Sequence, residues 1–164
     1  MMIFYLFIVL IILLRIGELL ISKRNEKWLL KNGAIEYGSK HYPFMIMLHF
    51  LFFISLMIEY ITQQTTSYSL FFMVLYFLLI AFKTWIILSL GKFWTTKIYH
   101  IKGFPLIKNG LYKYLKHPNY LIVVAEIAVI PLAFHLYYTA VIFTLLNWVM
   151  LVVRIKEENK ALQI

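Results

Sequence analysis

Lys116-His117-Pro118-Asn119-Tyr120 is the run of this chain with the greatest capacity for chemistry. A residue before proline avoids helical geometry and proline suits the first turn of a helix, so His117 is expected to be extended or to cap a helix that starts at Pro118. Its imidazole then stands beside helix N–H groups that lack intrahelical partners, a natural seat for a carboxylate or phosphate. Tyr120 adds an aromatic face close by. A second run, Arg154-Ile155-Lys156-Glu157-Glu158-Asn159, places acids three and four residues after an arginine, so all three can share a helix face. Each run also has a plainer explanation. Interfacial histidines and tyrosines anchor many membrane helix ends, and a helix leaving a membrane commonly carries solvated charges that pair weakly.

Other residues narrow the chemistry. Glu126 lies deepest in an apolar run and is expected to line a pocket, because an ionisable group among apolar spans is a functional candidate by default. Arg15, Glu18, His49, Glu59 and Lys83 lie within or near the ends of other apolar runs, and Arg15 can pair with Glu18 one turn away. Trp94, in the polar segment, is the tryptophan best placed to meet a ligand. The five histidines (41, 49, 100, 117 and 135) show no HxxxH or HExxH spacing, which argues against a metal site. No phosphate-loop glycine pattern occurs. There is no cysteine, which excludes disulfides, thiolate metal sites and a cysteine nucleophile. All seven acids are glutamates, so aspartyl dyads and aspartate-oriented triads are absent, although a glutamate can orient a histidine.

The elements that must position these groups are membrane helices. Of 164 residues 63% are hydrophobic and 14% charged, and mean hydropathy is +0.82, well beyond a soluble domain. The fold class expected is all-α: a polytopic bundle of about five transmembrane helices, forming one domain over residues 1–164. The apolar runs are Met2–Ile21, Pro43–Ile61, Tyr68–Leu90, Asn119–Phe134 and Leu136–Val153. Three N-terminal spans fill 1–90, a basic, aromatic-rich loop fills 91–118, and a helical hairpin with a tail fills 119–164. The N-terminus lacks a basic n-region and a small-residue cleavage site, so its run is expected to be the first membrane helix. Ala34–Pro43 has the composition of a loop. Pro131 removes a backbone donor and clashes with the preceding turn, so a break and a tight hairpin are expected there. The hairpin returns Arg154 to the side of the membrane that holds His117.

Sidedness follows from Lys and Arg. Fourteen of the sixteen basic residues fall in the 22–42 connection, the long loop (Lys92, Lys97, Lys102, Lys108, Lys113 and Lys116) or the tail. The Thr62–Ser67 and Pro131–Leu136 connections hold none. That pattern implies an odd number of spans, the N-terminus outside, and the C-terminus and long loop in the cytoplasm. The net charge of +9 is thereby directed at an anionic membrane face, and no nucleic-acid partner is expected.

LGKFWTT (90–96), KNGLYKYLKHPNY (108–120) and RIKEENKAL (154–162), in that order around a short helical hairpin, resemble the isoprenylcysteine carboxyl methyltransferase family. Its members carry LGxxWT, then GxYxxxRHPxY, then an RxxxEExxL-like element. The resemblance covers close to half the chain. RIGELLISKRNEKWLLKNGAIEYGSKHYPFM (15–45) looks like a small bacterial branch of the family, some of whose members are associated with type III polyketide synthases and methylate alkylpyrones. The resemblance implies a membrane enzyme that uses S-adenosylmethionine to methylate an oxygen of a lipophilic or lipidated acceptor. The cofactor pocket would be built from Gly110, Tyr112, His117, Pro118, Tyr120 and Glu158. Arg154, Glu157 and Lys116 would be catalytic, a cation holding the acceptor anion, while Trp94 and Glu126 would meet the acceptor. Lys116 replaces the family's usual arginine and cannot make the same planar two-point contact. Ile122 stands where many prenylcysteine enzymes have glycine.

Methyl transfer needs alignment and a dry pocket more than a strong base, which suits a chain without aspartate. Two other functions compete: a small membrane NADPH-dependent reductase, since sterol-type reductases also have C-terminal hairpins with basic loops, and a non-enzymatic scaffold whose basic face recruits a synthase or anionic lipid. Sequence leaves the oligomeric state open.

Overall fold

The computed structural model describes residues 2–64, 67–104 and 110–162. Lys108 and Asn109 of the long loop, and Thr65 and Thr66 between the second and third apolar runs, lie outside the described residues. Five α-helices dominate what is described: α1 (Met2–Lys31), α2 (Tyr42–Gln63), α3 (Leu70–Leu90), α4 (Pro118–Leu132) and α5 (Tyr137–Leu162). All but α4 are long and apolar enough to cross a membrane. The chain is therefore an all-α integral membrane bundle. At 15 residues, α4 reaches only about 22 Å, short of a hydrocarbon core of roughly 30 Å.

The hairpin turns where Pro131 directs it. Helix α4 ends one residue later, and the Leu136 N–H donates to the Pro131 carbonyl at 3.0 Å. Glu59 of α2 then accepts from the Tyr138 and Thr139 N–H groups at 3.0 and 2.7 Å. A carboxylate thus satisfies free donors at the start of α5 and complements its dipole.

The first helix is longer than its apolar run. It continues through SKRNEKWLLK to Lys31, because nothing before Gly33 breaks a helix and Gly33 adopts the left-handed conformation that ends one. The extension does structural work at the membrane edge. Asn25 is buried and donates to the Gly91 and Trp94 carbonyls at 3.0 and 2.7 Å. Ser22 Oγ accepts from the Thr96 N–H at 2.9 Å. Two short strands, absent from the sequence expectation, lock the same loop: β1 (Ile35–Tyr37) and β2 (Ile98–His100) pair antiparallel with Glu36 opposite Tyr99.

In the apolar core Phe4 of α1 stacks on Tyr60 of α2, centroids 3.6 Å apart, and meets Phe134 edge-on. Deeper lies a polar feature that unites α1, α3 and α4. Arg15 and Glu18 of α1, Lys83 of α3 and Glu126 of α4 close a ring of four charges, with contacts of 2.8, 2.8, 2.9 and 3.1 Å. Arg15 and Lys83 are the two basic residues that the sidedness pattern leaves over. Removing one partner of a buried ionic set strands the others. Glu126→Ala is accordingly expected to cost about 3–5 kcal/mol, seen as a lowered midpoint of thermal unfolding in detergent; an unchanged midpoint would show the ring to be dispensable.

Candidate active site

His117 precedes Pro118 with φ −133° and ψ 60°, extended enough to cap α4. Its Nδ1 lies 3.1 Å from Glu158 Oε2 on α5, and its ring stacks against Tyr120 at 5.4 Å and 18°. The hairpin has brought the two motif runs together. The charges of the second run share a helix, but Arg154 does not pair with Glu157 or Glu158. Arg154, 7% exposed, donates through Nε to Tyr120 Oη at 2.9 Å and through Nη2 to the Thr96 carbonyl at 2.6 Å. Its Nη1 meets Met45 Sδ at 2.8 Å, and its guanidinium lies 5.3 Å from the centre of the Tyr120 ring. Among the described residues no carboxylate pairs with it. Tertiary acceptors lie nearer than Glu157 or Glu158, which are committed to Lys160 and His117.

Two cavities meet at this arginine. The smaller, about 80 Å³, is lined by residues that include Tyr112, His117, Tyr120 and Glu158. The larger, about 330 Å³, runs into the bundle between α1, α2, α4 and α5. Trp94, Thr95, Asn119, Tyr120 and Arg154 border both. Around this seam the Trp94 Nε1, His117 Nε2 and Asn119 Oδ1 atoms are buried without hydrogen-bond partners. Burying a polar atom unpaired costs about 1–3 kcal/mol, so their grouping marks a place built for a polar ligand. Burial, and after it the nearby Glu158, pushes the Tyr112 phenol well above its ordinary value, keeping it a neutral donor. Burial and then the Arg154 charge, offset in part by Glu157, hold the His41 imidazole below its ordinary value.

Residues 69–164 match the family model described as Isoprenylcysteine carboxyl methyltransferase (ICMT) family. The chain belongs to that family. It is 41% identical to uncharacterized protein YpbQ of Bacillus subtilis over 98% of this chain and 96% of that protein. It is 32% identical to an uncharacterized protein of Haemophilus influenzae over 93% and 90% of the two chains. No solved structure matches. Membership in the isoprenylcysteine carboxyl methyltransferase family suggests methyltransferase chemistry in a membrane.

The expected site residues divide accordingly. Tyr112, His117, Tyr120 and Glu158 line the small cavity, and Trp94 and Arg154 border both. Pro118 is buried as the first residue of α4 and sets the direction of its neighbours. Gly110, at φ +57°, allows close approach of the loop, since a Cβ there would collide with the Ser89 side chain. Lys116 is exposed and borders neither cavity, because an extended backbone turns neighbouring side chains to opposite sides and His117 takes the inner one. Glu157 also borders neither; its Cβ side packs near Gly38. Glu126 is 1% exposed and sits behind the wall of the large cavity, holding Arg15 and Lys83, which do line it. Tyr42 and Met45 of α2, His41 that caps it, and Asn147 of α5 carried no sequence motif and escaped the sequence analysis as site residues, whereas His49 entered it only as an ionisable residue of an apolar run. A lone asparagine in an apolar helix was the one available signal.

Tyr120→Phe removes the acceptor of Arg154 Nε and is expected to cost about 1–3 kcal/mol, whereas Lys116→Gln should stay within about 0.5 kcal/mol of the parent. Unfolding midpoints in detergent separate the two, and equal losses would refute the placement of Lys116 outside the site.

Proposed function

We propose that the protein is an S-adenosylmethionine-dependent O-methyltransferase that acts on a lipophilic acceptor bearing an anionic oxygen. The observation that carries this reading is Arg154, a buried guanidinium with no carboxylate partner among the described residues, on the seam between a small polar cavity and a large, mostly apolar one. Family membership supplies the reaction class. When bound, S-adenosylmethionine supplies a methyl carbon on a positively charged sulfur, which an anionic oxygen displaces to leave a neutral thioether.

The residues of the small cavity suit such a group in kind. Glu158 Oε2 lies 3.1 Å from His117 Nδ1 and orients the ring, whose buried Nε2 has no partner within the protein and faces the ligand. The Trp94 N–H and the Asn119 carbonyl oxygen offer one further donor and one acceptor. The aromatic faces of Tyr112 and Tyr120 favour a cation nearby. Arg154 holds the acceptor oxygen where charge is neutralised on reaction, and the apolar lining of the large cavity excludes water, which strengthens that electrostatic contact. No general base is required for an acceptor that arrives ionised. Prenylcysteine carboxylates and alkylpyrone enols both have the required chemistry, an ionised oxygen on an apolar tail, and a type III polyketide synthase pathway is a source of the latter. The tail enters sideways from the bilayer, with the N-terminus outside and the basic loop facing the cytoplasm.

Calorimetry of S-adenosylmethionine, or of its demethylated product, with detergent-purified protein should show saturable binding that His117→Ala weakens at least tenfold while the unfolding midpoint stays near the parent's. Failure of the folded parent to bind would overturn the proposal and favour a nicotinamide-dependent reductase or a scaffold.

A further inference from the structure

The large cavity is not apolar to its end. Near Arg154 it is bordered by Tyr120, Trp94 and Thr96, and further into the bundle by Arg15, Lys83, His49 and Asn147. Two contacts set the register of α2 against α5: Met45 with Arg154 and Ser55 Oγ with Thr139 Oγ1 at 2.7 Å. Asn147 therefore stands level with His49, about 10 Å along α5 from Arg154. Asn147 is 2% exposed, lines the cavity, and its Nδ2 has no hydrogen-bond partner. His49 Nδ1 lies 2.8 Å from the Met45 carbonyl oxygen, which can only accept, so Nδ1 carries the proton and Nε2 is left with a lone pair. Arg15 uses only two of its five N–H donors on carboxylates. Donors and acceptors thus converge at one depth of a cavity whose lining is mostly apolar, and a well-packed membrane core has no use for an unpaired amide there.

We propose that this inner end is a subsite for a second, neutral hydrogen-bonding group, a hydroxyl or a carbonyl, carried on the acceptor's tail about 10 Å from the methylated oxygen. The inference rests on the assignment of the large cavity to the acceptor. Asn147 and His49 supply the donor and acceptor that a hydroxyl needs. The four-charge ring has no net charge, so a neutral group fits it better than a second ion. Asn147 is then a specificity-determining residue, kept at a cost in stability that the ligand removes.

The test uses a pair of probes that differ only at the far end: decanoic acid, whose carboxylate stands for the ionised acceptor oxygen, and ω-hydroxydecanoic acid. Their affinities for the full-length protein are measured by calorimetry in one detergent, with Asn147→Leu and His49→Phe beside the parent, so that partition into micelles cancels between variants. The ratio of affinities, hydroxy over plain, should be about tenfold higher in the parent than in either variant. Asn147→Leu should also unfold at a higher temperature than the parent when no probe is present. An equal ratio in parent and variants, or a parent that prefers the plain chain as much as Asn147→Leu does, overturns the proposal, because a merely apolar pocket penalises the added hydroxyl. Should one variant fail to fold, the other decides alone. S-adenosylmethionine binding by the same preparation judges the methyltransferase reading separately. A hydroxyl preference without it leaves a polar-ended lipid cavity and removes the enzyme, while the reverse result keeps the enzyme and removes the subsite.

Discussion

A charge in hydrocarbon must find its complement inside the protein, and that constraint organises this molecule. Arg15, Glu18, Lys83 and Glu126 lie on three helices, in segments otherwise rich in aliphatic and aromatic side chains. Each cation touches both carboxylates and each carboxylate touches both cations. Desolvation offsets much of the Coulomb attraction in such a set, so its main effect is on register: sliding one helix by a turn would strand at least one charge. Van der Waals packing among apolar helices in lipid discriminates far less between registers. With α1, α3 and α4 fixed by the ring, the end of α1 stands where Ser22 and Asn25 can hold the backbone of residues 91–96, and that backbone in turn presents the Thr96 carbonyl to Arg154.

The site is consequently divided between two parts of the chain. Every residue bordering the small cavity falls within 69–164, the stretch that matches the family model. The large cavity takes roughly half its lining from α1, α2 and the residue that caps α2. A shared reaction with different acceptors is compatible with such a division, since the walls that meet the lipophilic tail can change without disturbing those around His117 and Glu158. Arg154 belongs to the first part by sequence and to both by position. Its contact with Met45 joins them.

How much of this could be read from the sequence depends on the range of the forces involved. The number of helices and the membrane bundle follow from long apolar runs, which integrate over many residues. The hairpin follows from Pro131, and the meeting of His117 with α5 follows from the hairpin. The polar stretch after Ile21 reads as loop by composition, yet it remains helical because Ser22 and Asn25 have tertiary partners to satisfy. Strands of three residues have no periodicity to detect. Spacing alone lets Arg154, Glu157 and Glu158 share a helix face, but it does not say what that face meets, and this arginine faces a phenol and a carbonyl. Glu126 is deep and ionic as its position suggests, but depth alone does not say which face of α4 it occupies.

The ring and the cavity also explain one another. Charges held at bilayer depth make the adjacent end of the cavity polar whether or not a ligand visits, because Arg15 and Lys83 border it while Glu126 restrains them from behind. A structural ring alone, however, needs neither Asn147 on the opposite helix nor a histidine whose Nε2 is left unprotonated at the same level. Leucine or phenylalanine at those positions would pack against α4 at no electrostatic cost. Their polar identity is intelligible when something other than the protein hydrogen-bonds to them, and a bundle assembled around four mutually satisfied charges is stable enough to carry an amide that is not.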